Sequence, residues 1–149
     1  MKYLSIIALL TSPVLADNIS INYKHPTTKQ NVPVEVYEVG VGYKDYTVYL
    51  PIYYVNKQVG YGVGLGKQFS TDSKCPRGVL EPKLYYLDTY DYGRKNYGGP
   101  VQFAYSVGLE CELNRITLGY TFDHISNGSR YDVNPALDAH TIHIKLSID

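Results

Sequence analysis

Between Phe122 and Asp138 the chain collects the side chains that acyl-transfer chemistry needs. The run Phe122-Asp123-His124-Ile125-Ser126-Asn127-Gly128 is followed by Asn134-Pro135 and then by Asp138. Ser126 supplies a hydroxyl nucleophile, His124 a base, and Asp138 or Asp123 an acid to orient that base, the ingredients of a serine-type hydrolase. Asn127 carries an amide that can donate hydrogen bonds to an oxyanion. Each of these is also an ordinary loop or strand-end residue, so the elements that carry them decide what they mean.

Those elements are strands. The alternation of apolar with small or polar residues predicts eight of them: Ile19–Tyr23, Pro33–Tyr43, Asp45–Val55, Gln58–Phe69, Val79–Leu87, Pro100–Cys111, Leu113–His124 and Ala139–Ile148. Successive side chains on a strand point to opposite faces. In the last strand Ile142, Ile144, Leu146 and Ile148 share one face against Thr141, His143, Lys145 and Ser147. In the strand before it Ile116, Leu118, Tyr120 and Phe122 oppose Arg115, Thr117, Gly119 and Thr121. Along Gln58–Phe69 the apolar face of Val59, Tyr61, Val63 and Leu65 is backed by Gly60, Gly62, Gly64 and Gly66. Glycines and hydroxyls opposite a greasy face suit the narrow lumen of a small barrel whose apolar side is turned to lipid. The expected fold is therefore an all-β, eight-stranded, antiparallel up-and-down transmembrane barrel. Glu81 and Pro82 make the fifth strand irregular.

The bulk properties agree with export and with a membrane. Fourteen basic and fourteen acidic residues leave a formal net charge of +0, without the basic excess a nucleic-acid partner requires. The 17 Tyr against 3 Phe and no Trp suit strands and membrane interfaces, because tyrosine joins an apolar ring to a wet tip. Residues 1–16 read as a signal peptide: a charged start at Lys2, an apolar stretch from Tyr3 to Leu10, and small residues at Val14 and Ala16. That stretch is shorter than the roughly 20 residues of a spanning helix, so residues 17–149 form the barrel domain and cross by strands. The two cysteines of an exported chain predict a Cys75–Cys111 disulfide.

If both termini face the periplasm, the links at Lys44, Ser70–Gly78 and Glu112 lie inside. Those at Lys24–Val32, Asn56–Lys57, Asp88–Gly99 and Ile125–Asp138 then lie outside. Short inner and long outer links are usual for bacterial barrels, and this arrangement puts Cys75 and Cys111 at the same end. His124 continues the lipid-facing parity of Ile116 to Phe122. Ser126 follows it if the strand reaches so far, and Asp138 shares parity with Ile142. Polar groups on a lipid wall are costly, and a cluster of them at the outer rim points to a substrate that is itself a lipid.

At these residues the chain resembles a family. His124-Ile125-Ser126-Asn127, the later Asn134-Pro135 and an acid just before the last strand resemble the C-terminal signature of the lipid A 3-O-deacylases, PagL-type outer-membrane esterases. The resemblance implies hydrolysis of the acyl chain ester-linked at position 3 of lipid A in the outer leaflet. It implies Ser126 as nucleophile, His124 as general base, Asp138 as the acid, Asn127 in the oxyanion hole and Asn134 as a loop-positioning residue. Where the family's acid is typically Glu this chain has Asp138, so Asp123 and Asp132 stand as alternatives, and Ala136 replaces the usual Gly after Asn-Pro. The implied partners are lipopolysaccharide and the outer membrane, with a homodimer left open, and neither cofactor nor metal is needed. His140 and His143 fall on opposite strand faces, His140 as a rim residue and His143 toward the lumen, which is no arrangement for a metal pair. The rival readings are a non-catalytic outer-membrane barrel and a periplasmic lipid-binding barrel.

Overall fold

A computed structural model of the chain describes residues 16–27, 34–92, 96–130, 132 and 136–148. Residues 1–15 of the expected signal peptide, and Asn134, lie outside the described residues. The strands are β1 (Asn18–Pro26), β2 (Val34–Tyr43), β3 (Tyr46–Val55), β4 (Gln58–Lys67), β5 (Phe69–Ser70), β6 (Arg77–Leu87), β7 (Val101–Leu113), β8 (Ile116–Ser126) and β9 (Leu137–Ser147). Sequence neighbours pair antiparallel, β1 pairs with β9, and β4 pairs with β6, so the sheet closes on itself. The two residues of β5 keep the register that β4 has set against β6: Gly66 faces Lys83 and Phe69 faces Leu80. β4 and β5 are thus one barrel strand, and the barrel has eight. Closure leaves no edge of unpaired backbone groups, the condition for crossing a bilayer with strands.

Tight turns with left-handed residues join the strands at Lys44, at Asn56 and Lys57, and at Asn114. The last of these corrects an expectation. The seventh strand runs on to Leu113, opposite Ile116, and the turn falls at Asn114-Arg115 rather than at Glu112. Asn tolerates a positive φ, here 57°, better than Glu does. The eighth strand consequently begins at Ile116 and extends through Ser126, two residues past the expected end. The fifth is continuous through Glu81 and Pro82. Pro82 is accommodated because the pairing with the neighbouring strand breaks between β4 and β5, where its missing N–H would have donated. The β3–β4 pairing has a similar gap, between Tyr49 and Ile52, where Pro51 sits.

The lumen is filled in layers. Near the rim, the end at which β8 finishes, Val36, Tyr53, Val55, Leu87, Tyr92, Tyr97, Ile125 and Leu137 form an apolar plug. Tyr92 and Tyr97 belong to the long link between β6 and β7, which therefore folds into the mouth of the barrel; their rings meet edge-on at 6.1 Å. Below the plug lies a charge network. Lys24 pairs with Asp123 and, at 3.3 Å, with Glu38, while Glu38 also accepts from Tyr85 and Asn22. Deeper still, Glu110 collects His143 at 2.8 Å, Arg77 at 2.7 Å and Lys145. Charges buried in this way persist because they are paired and hydrogen-bonded. The glycines of β4 make room for this filling: a Cβ on Gly64 would collide with the Tyr85 ring, and one on Gly66 with Glu81. At the base, where β1 begins and β9 ends, a polar cavity of about 260 Å³ opens. The predicted Cys75–Cys111 disulfide is formed, tying the β5–β6 link to β7 at that same end.

The outside is the inverse of a soluble protein. Ile21, Val39, Val48, Leu65, Leu84, Val107, Leu118, Ile144 and Leu146 are exposed. Tyrosines gather toward both ends of this band: Tyr23, Tyr37 and Tyr54 pack in sequence near the rim, and Tyr43 and Tyr46 flank the turn at the base. An apolar belt between two aromatic girdles is the surface of a transmembrane barrel. Among the described residues no helix is long and apolar enough to cross a membrane.

Candidate active site

The extension of β8 decides where the proposed chemistry stands. Because the strand continues through Ser126, the parity begun at Ile116 carries Phe122, His124 and Ser126 onto the outer wall, with Asp123, Ile125 and Asn127 on the inner side. Across the ladder His124 stands directly opposite Asp138 of β9. Side chains opposed in this way start only about 5 Å apart at Cβ. The short aspartate therefore reaches: Asp138 Oδ1 lies 2.6 Å from His124 Nδ1, with both side chains 29% exposed. On the other flank His124 faces Tyr105 of β7, and the two rings stack at 5.2 Å and 28°. The imidazole is thus fixed between a carboxylate and an aromatic face.

Ser126 lies two residues beyond His124 on the same face, paired with Phe103 of β7. Its hydroxyl makes no hydrogen bond to His124 in this structure. The chain then turns at once: Gly128 and Ser129 both have positive φ, and Arg130 N–H donates back to the Asn127 carbonyl at 3.3 Å. A Cβ on Gly128 would stand 3.1 Å from the Phe103 ring, so this turn is packed closely on Phe103.

Asn127 departs from its expected place. Its side chain is fully buried, on the side away from Ser126, and donates to the Tyr97 carbonyl at 3.2 Å. Gln102 donates to the same carbonyl at 3.0 Å and to that of Gly99 at 2.7 Å. The amide therefore ties the turn after Ser126 to the link that plugs the mouth. Of the alternative acids, Asp123 is turned into the lumen, bonded to Lys24 and Thr121 and cut off from His124 by the barrel wall. Asp132 is exposed and makes no hydrogen bond to the histidine. His143 faces the lumen and His140 the outside, as their parity predicts. Among the described residues no group of three or more His, Cys, Asp or Glu is placed to hold a metal ion.

Tyr105 and Tyr97 were not among the residues singled out from sequence. Parity alone puts Tyr105 outside with Val107 and Leu109, but its contact with His124 depends on the β7–β8 register. Tyr97 is reached by a bond spanning 30 positions, for which no local pattern exists.

A family model described as lipid A 3-O-deacylase (PagL) matches residues 18–147, from the first barrel strand to the last. Among solved structures, the crystal structure of the outer membrane enzyme PagL superposes with a TM-score of 0.60 at 13% identity, covering 87% of this chain and 98% of that one. The crystal structure of Neisserial surface protein A (NspA) gives a TM-score of 0.46 at 10% identity, with 87% and 93% covered. No curated protein matches. With the family model spanning the whole barrel and the fold shared with PagL, the chain belongs to the lipid A 3-O-deacylase (PagL) family.

Proposed function

We propose that this barrel, exported by its first 16 residues and inserted in the outer membrane, hydrolyses the ester-linked acyl chain at position 3 of lipid A from the outer leaflet. The observation that carries the reading is the His124–Asp138 pair on the lipid-facing wall, with Ser126 on the same face. A hydrogen-bonded imidazole and carboxylate have little structural reason to stand among lipid tails, where polar groups are costly. They have a catalytic one if the substrate arrives laterally, as a lipid.

In this mechanism Nδ1–H of His124 donates to Asp138, which leaves the Nε2 lone pair to accept the Ser126 proton. A rotation about the Ser126 side chain brings its hydroxyl toward Nε2; such bonds often tighten only once substrate binds. The oxygen attacks the ester carbonyl. As the tetrahedral intermediate collapses and the ester C–O bond breaks, His124, now imidazolium, gives its proton to the departing sugar oxygen, and the acyl chain stays on Ser126. Water, deprotonated by the same nitrogen, then releases the fatty acid and restores Ser126. The oxyanion is met by backbone N–H groups of the Asn127-Gly128 turn, which the buried Asn127 amide holds against Tyr97. Asn127 thus supports the oxyanion site through the backbone it anchors. Asp138 fills the place of the acid, and Asn134 is assigned to positioning the same loop.

The test is incubation of the folded barrel with lipopolysaccharide, scoring released 3-hydroxy fatty acid by mass spectrometry. Ser126→Ala and His124→Ala should each lower the rate by about 10³-fold or more. Release equal to wild type from either variant rules out the assigned nucleophile and base, and no release from wild type supports a non-catalytic barrel.

A further inference from the structure

Polar side chains on the outer wall are unevenly distributed. Among the described residues the outward positions of β2, β3, β4, β6 and β7 are apolar or tyrosine, apart from Glu35 and Lys67 near strand ends, Gly78, Pro82 and the bridged Cys111. On β1, β8 and β9 they include His25, His124, Asp138 and His140. An aromatic girdle explains tyrosines, and five strands show that this barrel builds its girdle from them. It does not explain two further histidines beside the candidate site, on β9 and the adjoining β1.

His140 follows Asp138 by one pleat repeat on β9 and has His25 of β1 as its register partner. It is held from two sides. Tyr120 stacks on it at 5.6 Å and 17° with its hydroxyl 2.5 Å from Nδ1, and Phe122 packs edge-on at 5.9 Å. When the tyrosine hydroxyl donates to Nδ1, the proton of a neutral ring resides on Nε2. Among the described residues Nε2 of His140 has no hydrogen-bond partner, and neither nitrogen of His25 has one. Hydrocarbon cannot satisfy such donors, whereas a lipid with oxygen atoms below its head group can.

We propose that His140 and His25 form a second subsite of the same wall, hydrogen-bonding carbonyl or hydroxyl oxygens on the acyl chains of the bound lipid. This rests on the reading of the wall as a lipid hydrolase site. Tyr120 orients His140, and the subsite steers the lipid so that the scissile ester meets Ser126. It takes no part in proton transfer.

The experiment compares wild type with His140→Phe, His25→Phe and the double variant, each shown to be folded by its heat-modifiable migration. Phenylalanine keeps the ring and removes the donors. With lipopolysaccharide in mixed micelles, each single change should raise the apparent KM about 2- to 10-fold, the range of one neutral hydrogen bond, with kcat within twofold of wild type. An unchanged KM in the double variant, or a fall in kcat at constant KM, overturns the subsite. Binding of lipopolysaccharide to Ser126→Ala, with and without the two phenylalanines, separates this from the mechanism. Weakened binding supports the subsite even if the hydrolase reading fails, and equal binding removes it even if the enzyme is active.

Discussion

Replacing Asp138 by Asn tests the acid proposed to orient His124. The amide is nearly the same size, so the β8–β9 register and the packing around His124 survive. Two things change. An Asn that turns its NH₂ toward Nδ1 forces the imidazole proton onto Nε2, the nitrogen that must accept from Ser126. The imidazolium formed during the reaction also loses its carboxylate. At the 2.6 Å separation of Nδ1 and Oδ1, Coulomb's law gives about 2 kcal/mol in bulk water and about 6 kcal/mol at an effective dielectric of 20. With both side chains 29% exposed the pair lies between these limits, at roughly 4 kcal/mol. At 1.36 kcal/mol per decade this is a loss of about 10³-fold in kcat. Asp138→Glu keeps the charge but adds a methylene to a pair that already meets head-on, and should lose about 10-fold. The assay is initial-rate release of 3-hydroxy fatty acid at saturating lipopolysaccharide. If the Asn variant retains more than a tenth of wild-type kcat, Asp138 does not orient His124. Asp123 would not then inherit the role, since the barrel wall separates it from the histidine.

Tyr105→Leu removes the aromatic face stacked on His124 and should lower kcat about 3- to 30-fold with KM little changed, whereas Tyr105→Phe restores the rate. Equal kcat for the Leu variant shows the stacking to be incidental; the range follows from a cation–π contribution of about 0.5–2 kcal/mol. Lys24→Met leaves Glu38 and Asp123 buried without their shared cation and should destabilise the barrel by about 3–5 kcal/mol, read as a lower midpoint of urea unfolding in detergent. An unchanged midpoint would mean that water or Lys83 replaces that cation.

Parity carried much of this molecule. Period-two alternation was enough to identify eight strands, the outward faces of His124 and Asp138, the glycine-lined interior and the common end of Cys75 and Cys111. What it could not carry is register, because a strand's alternation says which face a residue takes and nothing about its neighbour across the ladder. The reach of Asp138 is a question of register. Judged by side-chain length the aspartate looks short, and judged by its place opposite His124 it is long enough. Similarly, the Lys24–Asp123 pair joins positions 99 residues apart, and Asn127 turns inward because its partner, the Tyr97 carbonyl, belongs to a link that folds into the mouth. The end of β8 combines both limits. Ser126 counts as a wall residue because the strand outlasts its expected end by two residues, and the neighbouring β7 supplies the partners Tyr105 and Phe103 that hold it there. A strand lengthened by its neighbour is invisible to any window on its own sequence, yet it sets whether the hydroxyl faces lipid or water.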